Sequence, residues 1–376
     1  ILNSKTQSDS YITHDLASQV APPEMMQALE HIAKDHLADA ISISDGNGEG
    51  TYSYGKEEIR AQDPGLLSAA AAGIPVMVST GDCGVVQNLP VASSQCGSVS
   101  TTPDTATWDD SPWTTAVGGS IPNFDATFGK RLGYDPLWHR EGAGYSSVYE
   151  RPDYQEQVKP ITDSEMRSVP DITMDSRYGT SESSPMFAGV LALATQLNHG
   201  HLGPINKELY EDLGPRGTSA GVVDVVTGND SVTSGSTVLV PGFRAAPGFD
   251  IVSGWGTVDA SRFVPELVDA TRRQSGDDSP GHQAAEALAQ LQRGIQLTHS
   301  DIASDDSTYM LAAGFLPQHP VHMDIDNHEI ATLTANPLGS VAYMVNPKLL
   351  KLSRGRHTLT LKSMLLNMTT DFRSRT

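Results

Sequence analysis

The sequence predicts an α/β fold, a parallel sheet with flanking helices, followed by a small C-terminal β sandwich. Three observations carry this reading. Helical and apolar strand segments alternate twice before residue 80. Beyond a polar stretch, Arg272-Arg-Gln-Ser-Gly-Asp-Asp-Ser-Pro-Gly281, the pattern changes to alternating strands. From Val345 onward, seven basic residues face one acid in a chain whose overall net charge is −20.

The first helix is read over Glu24 to His36, with Met25, Leu29 and Ile32 on one face, the spacing of a helix that buries one stripe. An apolar strand, Ala40 to Ser44, follows. Leu66 to Gly73 repeats the helix and Ile74 to Val78 repeats the strand. Helix then wholly apolar strand, repeated, is the pattern of a parallel sheet covered on both faces. After the polar stretch, Ala284 to Leu291 reads as a short helix. Val321 to Asp326, Ile330 to Thr334, Val341 to Val345 and Thr358 to Leu361 read as strands joined by Asp-Asn or Pro/Gly turns, an Ig-like sandwich. The expected organisation is therefore residues 1–270, a linker with a short helix over 271–300, and a β domain over 301–376.

Composition narrows the function. Hydrophobic residues at 38% suffice for a core, and 45 acids against 25 bases argue against a nucleic-acid binder, since phosphate needs Lys and Arg. The longest mostly apolar run, Leu66 to Val78, is broken by Gly73 and Pro75 and is shorter than the roughly 18 residues of a membrane span. The sequence opens at Ile1 without a basic and apolar leader, which fits removal of a targeting segment or a fragment. Cys83 and Cys96 are the two cysteines. They are read as a loop-closing disulfide, which would imply a secreted protein, or as two inert thiols.

Two segments carry candidate chemistry. Gly179-Thr-Ser-Glu-Ser-Ser-Pro185 precedes an apolar helical run. A serine at a helix start lies near unpaired N–H groups that can hold an oxyanion, although Ser181 or Ser183 could simply cap the helix. Met77-Val-Ser-Thr-Gly-Asp-Cys-Gly84 puts Asp82 in a turn directly after a buried strand. That is where ligand groups sit in parallel sheets, although a turn Asp often makes local hydrogen bonds only.

Together with other segments in the same order, these resemble the sedolisin family, the serine-carboxyl peptidases of subtilisin-like fold. The correspondence runs through Ser42-Ile-Ser44 with Gly46, Ser79 to Gly84, Ser111 to Ser120, Gly142 to Ser147, Arg167-Ser-Val-Pro-Asp171 and Gly179 to Pro185, covering about residues 8–265. The resemblance implies peptide hydrolysis with Ser181 as nucleophile and Asp82 as oxyanion partner. Asp82 can donate a hydrogen bond only while protonated, so acid pH is expected. Counted back from Ala21-Pro22, Asp9 falls where the family has its base Glu, Thr13 where it has the orienting Asp, and Asp15 is the next carboxylate. Gly142, Gly144 and Tyr145 correspond to a Gly-rich substrate-side loop. Asp224, Val225, Ala246, Gly248 and Asp250 correspond to a single calcium site, in keeping with the preference of Ca²⁺ for oxygen ligands. Protein or peptide substrates are implied, and the β domain is read as able to bind a surface ligand. The alternative is a catalytically inactive binding protein on the same scaffold. A His-dependent subtilase would need a His-Gly-Thr segment, which the chain lacks.

Overall fold

The computed structural model describes residues 22–46, 48–51, 56–60, 63–87, 102–125, 127, 131–234, 236–274, 279–291, 295–303, 306–312, 315, 319–335, 341–364 and 367–375. Strands β1 (Ile41–Ile43), β2 (Val76–Ser79) and β3 (Thr115–Ser120) pair in parallel, with Ile41 opposite Val76 and Val78 opposite Ala116. The antiparallel pair β4 (Gly144–Glu150) and β5 (Met166–Val169) lies outside that sheet. Strand β6 (Ile172–Asp175) returns to it beside β3, with Val117 opposite Ile172, giving the order β1-β2-β3-β6.

Successive side chains of a strand face opposite ways, and β2 shows what this does to the core. Val76 and Val78 join Leu29, Ile32, Leu66 and Trp108 on one face. Met77, between them, joins Ile172, Phe187, Leu191, Phe263 and Leu267 on the other. Both faces are thus covered, as the uninterrupted apolar strand predicts. The helices Pro22–Asp35 and Asp63–Ala71 supply the first cover. Helices Thr180–Asn198 and Ala260–Arg273 supply the second. In the former, Phe187, Val190, Leu191 and Ala194 are buried, a spacing that makes one face.

Beneath the β3–β6 edge lies a wholly buried ion pair. Arg167 donates to both carboxylate oxygens of Asp171 at 2.9 and 2.7 Å and reaches the carbonyls of Ser111 and Thr114. Asp171 also accepts from the Ala116 amide at 2.8 Å and the Tyr210 hydroxyl at 2.8 Å. The Arg167-to-Asp171 motif is therefore structural here. With both carboxylate oxygens and the guanidinium partnered, the pair joins β3, β5 and the start of β6 without an orphaned charge.

The expected boundary at residue 270 falls inside the helix Ala260–Arg273, because Arg272 and Arg273 complete its last turn rather than opening a linker. The helix Pro280–Leu291 is docked: Ala284 is fully buried against Leu67 and Ala70 of the helix Asp63–Ala71. Beyond it the described chain is all β. Gln296–Leu297, Thr308–Ala312 and Val341–Val345 make a three-stranded sheet. Asp301–Ile302, Pro320–Ile325, His328–Thr334, Gly355–Lys362 and Asn367–Ser374 make a five-stranded one. Met310 and Val345 from the first share a core with Val321, Met323, Leu359 and Phe372 from the second. Asp326 and Asn327 both have positive φ, 53° and 65°, which a two-residue hairpin turn demands. Among the described residues no helix is long and apolar enough to cross a membrane.

Candidate active site

Three carboxyl-terminal strand ends converge. Strand β1 runs into Ser44-Asp45-Gly46, β2 into Thr80-Gly81-Asp82, and β6 through a short turn into the helix Thr180–Asn198. Ser44, Asp45, Gly81, Asp82, Thr180 and Ser181 all line one open cleft. Ser181 is exposed in the first turn of the helix, while its neighbours Ser183 and Ser184 are buried. Ser183 bonds Ser176 and the Asp175 carbonyl, and Ser184 bonds the Ser42 hydroxyl at 2.8 Å. Of the two serines that sequence leaves open, 181 is therefore the one presented to solvent.

Asp82 is tied to the neighbour of Ser181. Thr180 donates to Asp82 Oδ1 from its amide at 2.8 Å and from its hydroxyl at 3.0 Å. The same hydroxyl accepts from the Gly81 amide at 3.0 Å. A carboxylate at the start of a 19-residue helix also meets unpaired N–H groups and the positive end of the helix dipole. Gly179 makes this approach possible. A Cβ there would lie 2.5 Å from Asp82 Oδ2, and its φ of +107° is one that L side chains rarely adopt. The opposite wall is fixed by the Ser44 hydroxyl, which donates to the Ser181 carbonyl at 3.4 Å.

The other expected residues fall as follows. Gly142 lies beside the Asp82 turn, its amide donating to the Gly81 carbonyl at 3.1 Å. Gly144 pairs with Val169 in the β4–β5 ladder. Tyr145 is turned elsewhere, its hydroxyl donating to the Thr162 carbonyl at 2.6 Å and its ring packed edge-on against Phe243. Asp9, Thr13, Asp15 and Cys96 lie outside the described residues.

The residues read as calcium ligands are linked by hydrogen bonds. Gly248 donates its amide to Asp224 Oδ2 and Ala246 donates to Asp250 Oδ2, each at 2.7 Å. Ser253 bridges Asp250 Oδ1 at 2.9 Å and the Val225 carbonyl at 3.4 Å. Burial raises the pKa of Asp224 and pushes that of Asp250 up to about 6. Asp224 Oδ1 is buried without a hydrogen-bond partner. A buried carboxylate oxygen without a hydrogen-bond partner is a group that a hard cation would satisfy, offsetting part of the desolvation cost. Among the described residues, no group of three or more His, Cys, Asp or Glu is placed to hold a metal, so carbonyl oxygens would have to complete this shell.

Known proteins of similar sequence and fold share this arrangement of motifs. The chain is 29% identical to human tripeptidyl-peptidase 1 over 264 residues, 58% of this chain and 43% of that protein. It is 27% identical to sedolisin from Pseudomonas sp. (strain 101) over 273 residues, 63% of this chain and 42% of that protein. The solved Pseudomonas sedolisin, in complex with two molecules of pseudo-iodotyrostatin, superposes with a TM-score of 0.54 at 26% identity, covering 66% of this chain and 70% of that one. Over about three fifths of its length the chain is similar to the sedolisins in both sequence and fold. No family model matches it, and it spans less than half the length of the curated relatives it matches. This sedolisin-like chain keeps the subtilisin-like parallel sheet and adds β sheets at its C-terminal end.

Sequence reasoning missed three residues at the cleft. Thr180 was visible as the T of the nucleophile motif, but nothing in sequence says that both its amide and its hydroxyl hold Asp82. Gln87 lines the cleft and donates to the Gly84 carbonyl at 2.6 Å, a contact across a turn that carries no periodic signal. Asp45 occupies the variable position of the Ser-Ile-Ser-x-Gly strand end and could have been noticed as a second carboxylate.

Proposed function

We propose that this chain is a serine-carboxyl endopeptidase that hydrolyses peptide bonds at acidic pH. The observation that carries the reading is that Ser181 and Asp82, remote in sequence, line one solvent-open cleft and are joined through Thr180. In this reaction the Ser181 hydroxyl attacks the scissile carbonyl carbon, and its proton passes to a carboxylate. By motif correspondence that base is Asp9, with Asp15 the nearest further carboxylate. Asp82 in its protonated form donates to the developing oxyanion. Collapse expels the amine, which takes the proton held by the base, and water then releases the acyl group from Ser181. Both the base, ionised near pH 4, and the protonated Asp82 confine the reaction to the acid range.

The same reading takes Asp224 and Asp250, with carbonyls of Val225, Ala246 and Gly248, as holding one Ca²⁺ that rigidifies this corner of the domain. It takes Cys83 and Cys96 as a disulfide pair and the protein as secreted. Gly142, beside the Gly81–Asp82 turn, is the substrate-side backbone closest to the catalytic turn by hydrogen bonding.

Thr13 at the orienting position favours a second reading, a non-catalytic binding protein on this scaffold, because a hydroxyl cannot supply the charge of an Asp. One experiment separates the two. Cleavage of a denatured protein should be greatest between about pH 3 and 5 and absent in Ser181→Ala. Equal behaviour of the two proteins at every pH across the acid and neutral range would sink the peptidase reading.

A further inference from the structure

The cleft that holds Ser181 and Asp82 carries a second carboxylate, Asp45, which the proposed reaction does not use. Asp45 directly follows Ser44, whose hydroxyl touches the carbonyl of the nucleophile itself. Its side chain is held in place: Oδ1 accepts from the Gly46 amide at 2.8 Å. Gly46 is locked in turn, with φ +151° and a Cβ position only 2.7 Å from the Thr107 carbonyl. A carboxylate anchored by its own turn loses little freedom on meeting a ligand. Among the described residues lining the cleft none is Lys, Arg or His, and the titratable ones are the two carboxylates Asp45 and Asp82.

We propose that Asp45 is a recognition residue that selects substrates with a cationic group beside the scissile bond. The group is an ammonium or guanidinium, carried by a Lys or Arg side chain or by the peptide's own amino terminus. This proposal rests on the peptidase reading for the meaning of the cleft, while its test does not depend on turnover. Charge-assisted hydrogen bonds to a preorganised carboxylate are about twice as strong as neutral ones.

The test uses Ser181→Ala protein and peptides that differ at one residue beside the cleavable bond, Lys, Arg, Gln or norleucine, each with a free or acetylated amino terminus. Binding is measured between about pH 5 and 7, above the ordinary carboxylate range. Lys and Arg peptides should bind about tenfold tighter than Gln or norleucine ones. Adding Asp45→Asn should bring the series to within about twofold, and Asp45→Glu should keep the preference. If acetylation rather than the side chain removes the preference, the amino terminus is the cation recognised. Equal affinity across the series before Asp45 is changed, or a preference that survives Asp45→Asn, would overturn the proposal. Should Asp45→Asn bind no peptide at all, Asp45→Glu decides, its preference supporting the assignment and its indifference overturning it. Asp45-dependent binding without cleavage by the Ser181 protein would remove the peptidase reading and leave this one standing.

Discussion

At the scale of single residues, the site depends on two positions where a substitution would look mild in sequence. Gly179→Ala forces a Cβ against Asp82 at a positive φ. It is expected to cost about 1–3 kcal/mol of stability and to displace Asp82 from Thr180, lowering kcat far more than it raises KM. Urea unfolding together with steady-state kinetics would show both effects, and a variant as stable and active as the parent would remove the steric argument. Thr180→Val keeps the shape of the side chain but deletes the hydroxyl shared by Asp82 and the Gly81 amide. A loss of about 1–2 kcal/mol is expected, with activity falling because Asp82 loses one of its two Thr180 donors. Neither role was legible beforehand, since both depend on contacts between segments far apart in the chain. The positions of Ser181 and Asp82 in the fold were legible because each stands at an element boundary that sequence marks: a helix start behind Gly179 and a strand end before Gly84. Tyr145 was misleading for the opposite reason. A Gly-rich run suggests backbone open to substrate, but period-two geometry in β4 sends this ring toward Phe243.

At the scale of elements, the buried Arg167–Asp171 pair makes the sharpest prediction. Arg167→Met leaves Asp171 charged, fully buried and deprived of two donors. Removing one partner of such a pair costs about 3–5 kcal/mol, a large share of the stability of an ordinary domain. Calorimetry on the double variant Arg167→Met/Asp171→Leu should return part of the loss, since an apolar pair strands no charge. The covered sheet was readable because its strands are uninterruptedly apolar, and the 320–334 hairpin because Asp-Asn invites positive φ. The segment Thr105 to Ser111 was not. Its run Thr-Trp-Asp-Asp has the composition of a solvated turn, yet Asp109 and Asp110 are fully buried. Glu49, also buried, accepts from Ser146 and Ser147, and Ser146 in turn reaches Asp110 at 3.4 Å. Long-range packing, which has no local signature, decided their environment.

For the whole molecule, those acids set the response to pH. Burial raises Asp109, Asp110 and Glu141 well above the ordinary carboxylate range, Asp104 to about 6, and Asp63 and Glu208 to about 7. Each group keeps its proton in the folded chain at a pH where the unfolded chain has lost it. The folded state therefore binds more protons between about pH 4 and 7, and stability falls as pH rises through that window. Tm should drop by at least about 5 °C from about pH 5 to about pH 7.5, and Asp109→Asn should flatten the slope. A Tm that climbs over the same interval would contradict the assignment. Exposed pairs such as Arg375–Asp301 and Arg356–Asp371 lower their acids instead, so their contribution fades only at more acid pH.

The docked helix Pro280–Leu291 bears on how this protein can be cut down. A version trimmed after residue 274, the natural choice for anyone seeking the parallel-sheet part alone, would strip Ala284 from Leu67 and Ala70. It would bare an oily strip on the back of the helix that feeds β2. Such a truncate should be sticky and short-lived in solution, whereas one ending at residue 291 keeps that flank dry, so the smallest workable unit reaches past the point where the sheet's own helices stop.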